Sequence, residues 1–319
     1  ATENIGDTLV KNLDFLIIGA QKCATTTLFE HLRSHPDIAM PLEKEVPFFT
    51  GEDTSATHWD SFATANFNDR DRAKLWGKAS PQYMNDPNIA QRIHALMPQV
   101  KLVAILRDPL ERTRSHFQMG QRRATEDREF CSAIEPLLAP AAIENNRRLP
   151  APEHKAGYES EADFYISWSE YGRILEGYYE IFDPSQILVL YTEDLQSAPE
   201  ATLDKLLAFI GLPAGYRPET LGRVIHKGGS GNRIPHGVRQ WLKERKALYW
   251  LWQQVPERRK GRIRFQYEQW NTVSRTQNET VPSATALALR QHYANDLQTL
   301  LTLPVDLPPW IDRYLPVSH

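Results

Sequence analysis

Two cysteines in 319 residues leave no disulfide framework to read. Cys23 stands inside a short polar loop, where a bridge would be awkward. Cys23 and Cys131 therefore both read as free thiols, which lean towards a reducing compartment. No apolar run approaches the roughly 18 residues that a membrane-spanning helix needs. The segment Ala1 to Asp14 is polar and has no apolar core, so no signal peptide is expected. There is no internal repeat, no low-complexity tract, and no His/Cys/Asp cluster at metal-ligand spacing, so no metal is expected. Charge of either sign is not in excess: 37 Lys and Arg stand against 40 Asp and Glu, a formal charge of −3, and no global pull on nucleic acid follows. Asn278-Glu279-Thr280 is a glycosylation sequon, but such triplets are too common by chance to argue secretion.

What is present is ordinary globular material, 41% hydrophobic and 24% charged, on a chain long enough to bury a large core. Short apolar runs predict strands at Phe15–Ile18, Ile38–Met40, Leu75–Ala79, Leu102–Leu106 and Ile187–Tyr191. Helical patterns fall at Thr25–Ser34, Pro87–Met97, Leu110–Arg123, Glu170–Phe182 and Pro199–Ile210. Pro36, Pro81, Pro109, Pro184 and Pro213 lie between these elements, as breakers should. Alternation of this kind predicts an α/β fold with a central parallel sheet and crossover helices. The stretch from Ala124 to Glu161 is polar and proline-punctuated, and reads as an insertion or a mobile excursion. Beyond Ala214 strand signal is weak, and helices are expected near Val238–Gln253 and Ser283–Leu301.

The segment Asp14 to Leu28, DFLIIGAQKCATTTL, is the most informative. A strand ends at Gly19, a polar loop follows, and a helix opens at Thr25. A helix N-terminus offers unpaired N–H groups and a positive dipole end, a ready site for phosphate or sulfate. Lys22 adds a charge, and Thr25, Thr26 and Thr27 add hydroxyls; three threonines are unusual for a mere turn, since threonine is a mediocre helix former. The loop is not a Walker A motif, which needs lysine directly before the Ser/Thr. Its order, Gly-x-x-Lys-x-x-Thr-Thr, resembles the 5′-phosphosulfate loop of the sulfotransferases that use 3′-phosphoadenosine 5′-phosphosulfate (PAPS). Ala24 stands where many of those relatives have glycine.

A second segment, KLVAILRDPLERTRSHF, places Arg107 at a strand end and Ser115 eight residues later. This resembles the 3′-phosphate site of the same superfamily, where a guanidinium fork and a hydroxyl cage the phosphate. The plain alternative is a strand-end arginine paired with Asp108 or Glu111. LWGKASPQYM is similar to the Ser/Thr-Pro-x-Tyr signature of heparan-sulfate-type and many bacterial sulfotransferases, matched by Ser80, Pro81 and Tyr83. Those enzymes carry Glu-Lys directly before Ser/Thr-Pro; here the pair is Lys78-Ala79, so the lysine is displaced by one, and one step along a strand turns a side chain to the other face. Lys78, Ser80 and Tyr83 are carried over as substrate contacts only. PLEKEVPFF resembles the Asn-Glu-Val-His-Phe-Phe segment of glycosaminoglycan sulfotransferases, with Glu45 at the general base and Pro47 in place of histidine. Glu43, His58 and His116 compete with Glu45 for that role. HKGGSGNRIP resembles the loop that closes over the 3′-phosphate, with Lys227 and Gly228 matching and Arg233 adding charge; Tyr171, at a helix start, is a weaker adenine contact.

The resemblance spans Asp14 to Pro235. It implies a P-loop-like three-layer sandwich: a PAPS-binding core over 1–235, with the insertion at about 124–161, and a helical C-terminal extension over 236–319 packed on it in the same domain. The implied activity is sulfuryl transfer from PAPS, without metal, to a hydroxyl or amine of a glycan, lipid or small molecule. Its catalytic residues would be Lys22 and Glu45; Lys22, Cys23, Ala24, Thr25, Thr26, Thr27, Arg107, Ser115, Tyr171, Lys227 and Gly228 would hold the nucleotide. Rival readings are a P-loop-type nucleotide kinase and a non-catalytic nucleotide-binding module. Between Arg223 and Arg264 twelve Lys and Arg face only Glu244 and Glu257, and Trp241, Tyr249, Trp250 and Trp252 are interleaved. The stretch 238–264 reads either as a packed helix with a solvated basic face or as a peripheral membrane or anionic-glycan surface. The expected location is the cytoplasm, with or without membrane association; the alternative is a trimmed Golgi-lumenal ectodomain.

Overall fold

The computed structural model describes residues 11–41, 44–123, 125–151, 160–222, 230–232, 272–274 and 282–315. Its centre is a five-stranded sheet in the order β2-β3-β1-β4-β5, every neighbouring pair parallel. The strands are β1 (Phe15–Gly19), β2 (Ile38–Ala39), β3 (Leu75–Ala79), β4 (Lys101–Leu106) and β5 (Ile187–Tyr191), all at the places the apolar runs predict. Helices flank the sheet, so its central strands are buried on both faces; every residue of β1 is buried. That double burial makes β1 and β4 continuous apolar runs rather than alternating ones. Ile17 sits between Ala79 of β3 and Val103 of β4. Gly77 leaves room for a ring: a Cβ there would lie 2.0 Å from Phe15 Cζ.

The helices that matter for the site follow their strands directly. They are α1 (Thr25–Arg33) after β1, α3 (Ile89–Leu96) after β3, and α4 (Pro109–Arg123) after β4. The chain leaves β1 towards β2 and leaves β4 towards β5, in opposite directions across the sheet. The crevice beyond β1 and β4 is therefore the switch point at which open α/β sheets bind ligands.

Several elements depart from the sequence expectation. The helix α2 (Ala56–Asn66) has no strong signature; Ser55 caps it, its side chain accepting from His58 N, and Trp59, Phe62 and Ala63 are buried. Within the stretch 124–161, read as an insertion or a mobile excursion, the described residues 125–151 hold α5 (Phe130–Ile134) and α6 (Pro140–Arg148), and Phe130, Ala133, Ile134 and Leu137 join the main core. After α7 (Tyr171–Tyr179) and β5 come α8 (Thr192–Ser197) and α9 (Pro199–Ile210). A short antiparallel pair, β6 (Ser230–Asn232) with β7 (Thr272–Ser274), lies where little strand signal was evident. The final helix, α10 (Ser283–Leu300), packs along α7. Its Asp296 carboxylate accepts from Gly172 N (2.8 Å) and Arg173 N (2.9 Å), capping α7. The helix expected near Val238–Gln253 and the basic stretch 238–264 fall outside the described residues.

Candidate active site

Three strand ends deliver the site. Beyond β1 the chain turns through Gly19–Ala24, with Ala20 N donating to Ile105 O of β4 (2.8 Å) and Cys23 N returning to Ala20 O (3.2 Å). Lys22 (φ 71°) and Ala24 (φ 64°) adopt the left-handed conformation that non-glycine residues seldom take. Such backbone persists only where the surrounding structure holds it, and it gathers at functional sites. Ala24 is the N-cap of α1 and has no side chain to cap with; the first turn carries no acidic residue. The helix thus presents its N–H groups and positive dipole end with no built-in anion. Thr25 and Thr27 are buried and Thr26 is half-buried. The Cys23 thiol is buried against Tyr171 OH at 3.7 Å, and burial pushes it up to about 11, so it stays a neutral thiol.

Lys22 is itself under electrostatic pressure. Loss of hydration first, then the charges of Arg122, Arg123 and Arg107, lower its ammonium from 10.5 to about 7, while Glu45 pulls the other way. A lysine on which three guanidinium charges act is a cation site arranged for a polyanion.

Beyond β3, the segment from Lys44 to Phe49 lies against this loop. Glu45 is the third left-handed residue (φ 68°), and its N–H donates to Ala79 O at the end of β3 (3.1 Å). The Lys44 ammonium is ion-paired with the Glu45 carboxylate and donates to Thr25 Oγ1 on α1 at 3.3 Å. Tyr83 fixes the far side of the same segment: its hydroxyl oxygen accepts from Phe48 N and Phe49 N, each at 3.2 Å. Lys78 is buried and donates to that same oxygen at 3.0 Å and to Ser80 Oγ. The displaced lysine is therefore turned towards Ser80 and Tyr83. Tyr178 OH donates to Tyr83 O at 2.5 Å.

Beyond β4, Arg107 lies 3.6 Å from Glu111, a loose i,i+4 pair, and Ser115 is buried on α4. Asp108 does not pair with Arg107. Its carboxylate accepts from Leu110 N (3.0 Å) and Glu111 N (3.2 Å), which caps α4, and from Arg313 Nη1 (2.9 Å) and Tyr314 OH (2.5 Å). Tyr171, expected at the adenine, is fully buried; its hydroxyl donates to Arg107 O at 2.9 Å. Touching Cys23 on one loop and Arg107 on the other, it joins the two turns. Lys227, Gly228 and Arg233 fall outside the described residues, as does Glu43.

The sulfotransferase domain model matches residues 12–228, which include the Lys22 loop, Glu45, Lys78, Tyr83, Arg107, Ser115 and Tyr171. The chain belongs to the sulfotransferase domain family. Relatives include the membrane-associated sulfotransferase kil1 of Dictyostelium discoideum, 35% identical over 34% of this chain and 23% of that protein. The bifunctional heparan sulfate N-deacetylase/N-sulfotransferase 1 of Caenorhabditis briggsae is 27% identical over 73% of this chain and 26% of its own length. Human carbohydrate sulfotransferase 15 is 23% identical over 65% of this chain and 45% of its own. The chain thus matches less than half the length of each. A sulfotransferase from Alicyclobacillus acidocaldarius shares the fold, with a TM-score of 0.60 at 20% identity over 93% of this chain and 98% of that one. Among the described residues no helix is long and apolar enough to cross a membrane.

The candidate site includes residues that motif spacing did not reveal. Arg122 and Arg123, at the C-terminal end of α4, stand near enough for their charges to act on Lys22. Behind the loop, Gln21 Nε2 donates to Glu161 Oε2 (3.0 Å). His116 Nε2 also reaches Glu161 Oε2 (2.7 Å), and His116 Nδ1 lies 3.3 Å from Arg112 Nη1. A guanidinium can only donate, so Nδ1 accepts and Nε2 carries the proton given to Glu161. Burial drives His116 down to about 4 against the pull of Glu161. With both nitrogens engaged and the ring 0% exposed, His116 braces the loop. His58 stacks on Phe48, with centroids 5.4 Å apart. Arg123 reaches Glu161 Oε1 at 3.6 Å, linking the brace to the cation cluster.

Proposed function

We propose that this protein is a PAPS-dependent sulfotransferase whose acceptor is a hydroxyl or amine, first of all on a glycan. One observation carries the reading: two cationic turns, around Lys22 and Arg107, lie at neighbouring strand ends, and the Glu45 carboxylate is held beside the first of them. The Lys22 loop and the α1 N-terminus fit the 5′-phosphosulfate, and Arg107 with Ser115 fits the 3′-phosphate. Lys227 and Gly228 complete that second site in this reading. When bound, PAPS supplies an activated sulfuryl group with a nucleotide bisphosphate as leaving group.

The protein's own part is then defined. Glu45 takes the proton of the acceptor hydroxyl or amine. Lys22 and the first-turn N–H groups of α1 stabilise the charge that builds on the bridging oxygen; preorganised donors of this kind are each worth roughly 3 kcal/mol. Ser80 and Tyr83 shape the wall beneath Glu45, with the Lys78 cation between them. The glycan preference rests on the relatives named as heparan sulfate and carbohydrate sulfotransferases. Proximity to a membrane, through the basic stretch 238–264, is the second part of the proposal, supported by the relative named as membrane-associated.

Incubation with [35S]PAPS and a panel of N-desulfated heparin, chondroitin, phenol and glycolipid tests the activity. Label on a glycan is the expected result. Label on phenol alone would remove the glycan reading, and label on none of the four with intact PAP binding would favour a module without transferase activity.

A further inference from the structure

The Lys44 ammonium lies between two parts of the machinery that must act together. It contacts Thr25 Oγ1 at the opening of α1, where the anion is received, and the Glu45 carboxylate, where the acceptor's proton goes. Its side chain is 14% exposed, against 32% for Glu45, so the cation is the deeper member of the pair. An ammonium has three N–H donors, and the contacts described here account for two. Lys78 cannot stand in for it, because it is buried against Ser80 and Tyr83, and Lys22 is assigned to the bridging oxygen.

A charge placed this way has a consequence for anion binding. An anionic group seated on the first-turn N–H groups of α1 comes within reach of the same ammonium that touches Thr25. We propose that Lys44 is a catalytic residue: with the donor in place it hydrogen-bonds the non-bridging oxygens of the sulfuryl group while remaining in contact with Glu45. This rests on the reading of PAPS as donor and Glu45 as base. The acceptor's proton passes to Glu45, the acceptor atom bonds to sulfur, and the bond from sulfur to the bridging oxygen breaks, its electron pair staying on the 5′-phosphate. Lys44 keeps its proton throughout. One cation thus orients the base and steadies the group in flight.

PAPS and 3′-phosphoadenosine 5′-phosphate (PAP) differ only by the sulfuryl group, so the two affinities isolate the contact. Titration calorimetry at low temperature, on the wild type, Lys44→Met and Lys44→Arg, reads both. In Lys44→Met, PAPS affinity should fall about tenfold while PAP affinity stays within twofold, which also shows that the variant is folded. Lys44→Arg, which keeps the charge, should recover PAPS affinity to within threefold of wild type. Lys44→Met binding PAPS as tightly as wild type, or losing PAPS and PAP equally, would overturn the assignment. A wild type that binds neither nucleotide would instead take down the donor reading, and this inference with it.

Discussion

Lys22 is the residue on which the account turns, and its environment makes a measurable claim. Its folded-state value near 7 lies far below the ordinary 10.5 because burial and three arginines oppose the charged form. An anion seated against it reverses that opposition, so binding must raise the value and draw in a proton. At pH 8 the free protein holds Lys22 mostly neutral, and PAP binding should take up close to one proton. Below about pH 6 the lysine is already charged and uptake should vanish. The enthalpy of PAP binding measured at pH 8 in buffers of different ionisation heat reads this directly; no buffer dependence would contradict it. Lys22→Met should abolish the uptake. Lys22→Ala should cut turnover by about 100-fold or more while far-ultraviolet circular dichroism stays unchanged; near-normal turnover would remove Lys22 from the mechanism.

Elements place these residues, and the close contacts between elements can be tested. A methyl group at Gly172 would lie 2.1 Å from Asp296 O and 2.8 Å from Leu300 N, both backbone atoms of α10. Neither can yield locally, so Gly172→Ala should push α10 off α7. Overpacking of this kind costs about 1–3 kcal/mol, seen as a lower midpoint in urea; an unchanged midpoint would mean that the two helices do not meet as described. The elements that were legible in the sequence share a cause. β1 and β4 are buried on both faces, so their runs are unbroken, and α4 follows a proline turn. α2 was not legible because threonine, aspartate and asparagine dilute its pattern and only three residues face inwards. The helices of 125–151 were hidden by polar composition, although Phe130, Ala133 and Ile134 of α5, and Leu137 just after it, reach the core. The site divides the same way. Motif spacing brings out Lys22 and Arg107, just beyond strand ends, Glu45, whose N–H is bonded to the end of β3, and Ser115, eight residues from Arg107 on α4. It is silent on Arg122, Arg123, Gln21 and Glu161, whose meeting at the loop is decided by packing alone.

Across the whole molecule one buried carboxylate ties distant parts together. Glu170 is 0% exposed and accepts from Arg147 of α6 (2.8 and 2.7 Å), Arg173 of α7 (2.8 Å) and His292 of α10 (2.8 Å). Burial alone would raise its value; the hydrogen bonds from His292 and Arg147 and the Arg173 charge outweigh it and hold the carboxyl at about 2. A depressed acid stabilises the fold above its unfolded value of about 4.5, and that contribution is lost as pH falls towards 2. The stability gap between wild type and Glu170→Gln should therefore be widest at neutral pH and narrow steadily between pH 4.5 and 2, as followed by thermal melting. A gap independent of pH would contradict the assignment. In the proposed reading the frame so held carries two anion sites, at Lys22 and at Arg107, and the second of them selects a nucleotide that bears a 3′-phosphate. Calorimetric titration of the wild-type protein with PAP and with ATP, the latter with and without Mg²⁺, tests this directly. PAP should bind at least about 100-fold more tightly than ATP under either condition, because only PAP offers a 3′-phosphate to Arg107 and Ser115. Equal affinities, or a preference for ATP with Mg²⁺, would contradict it.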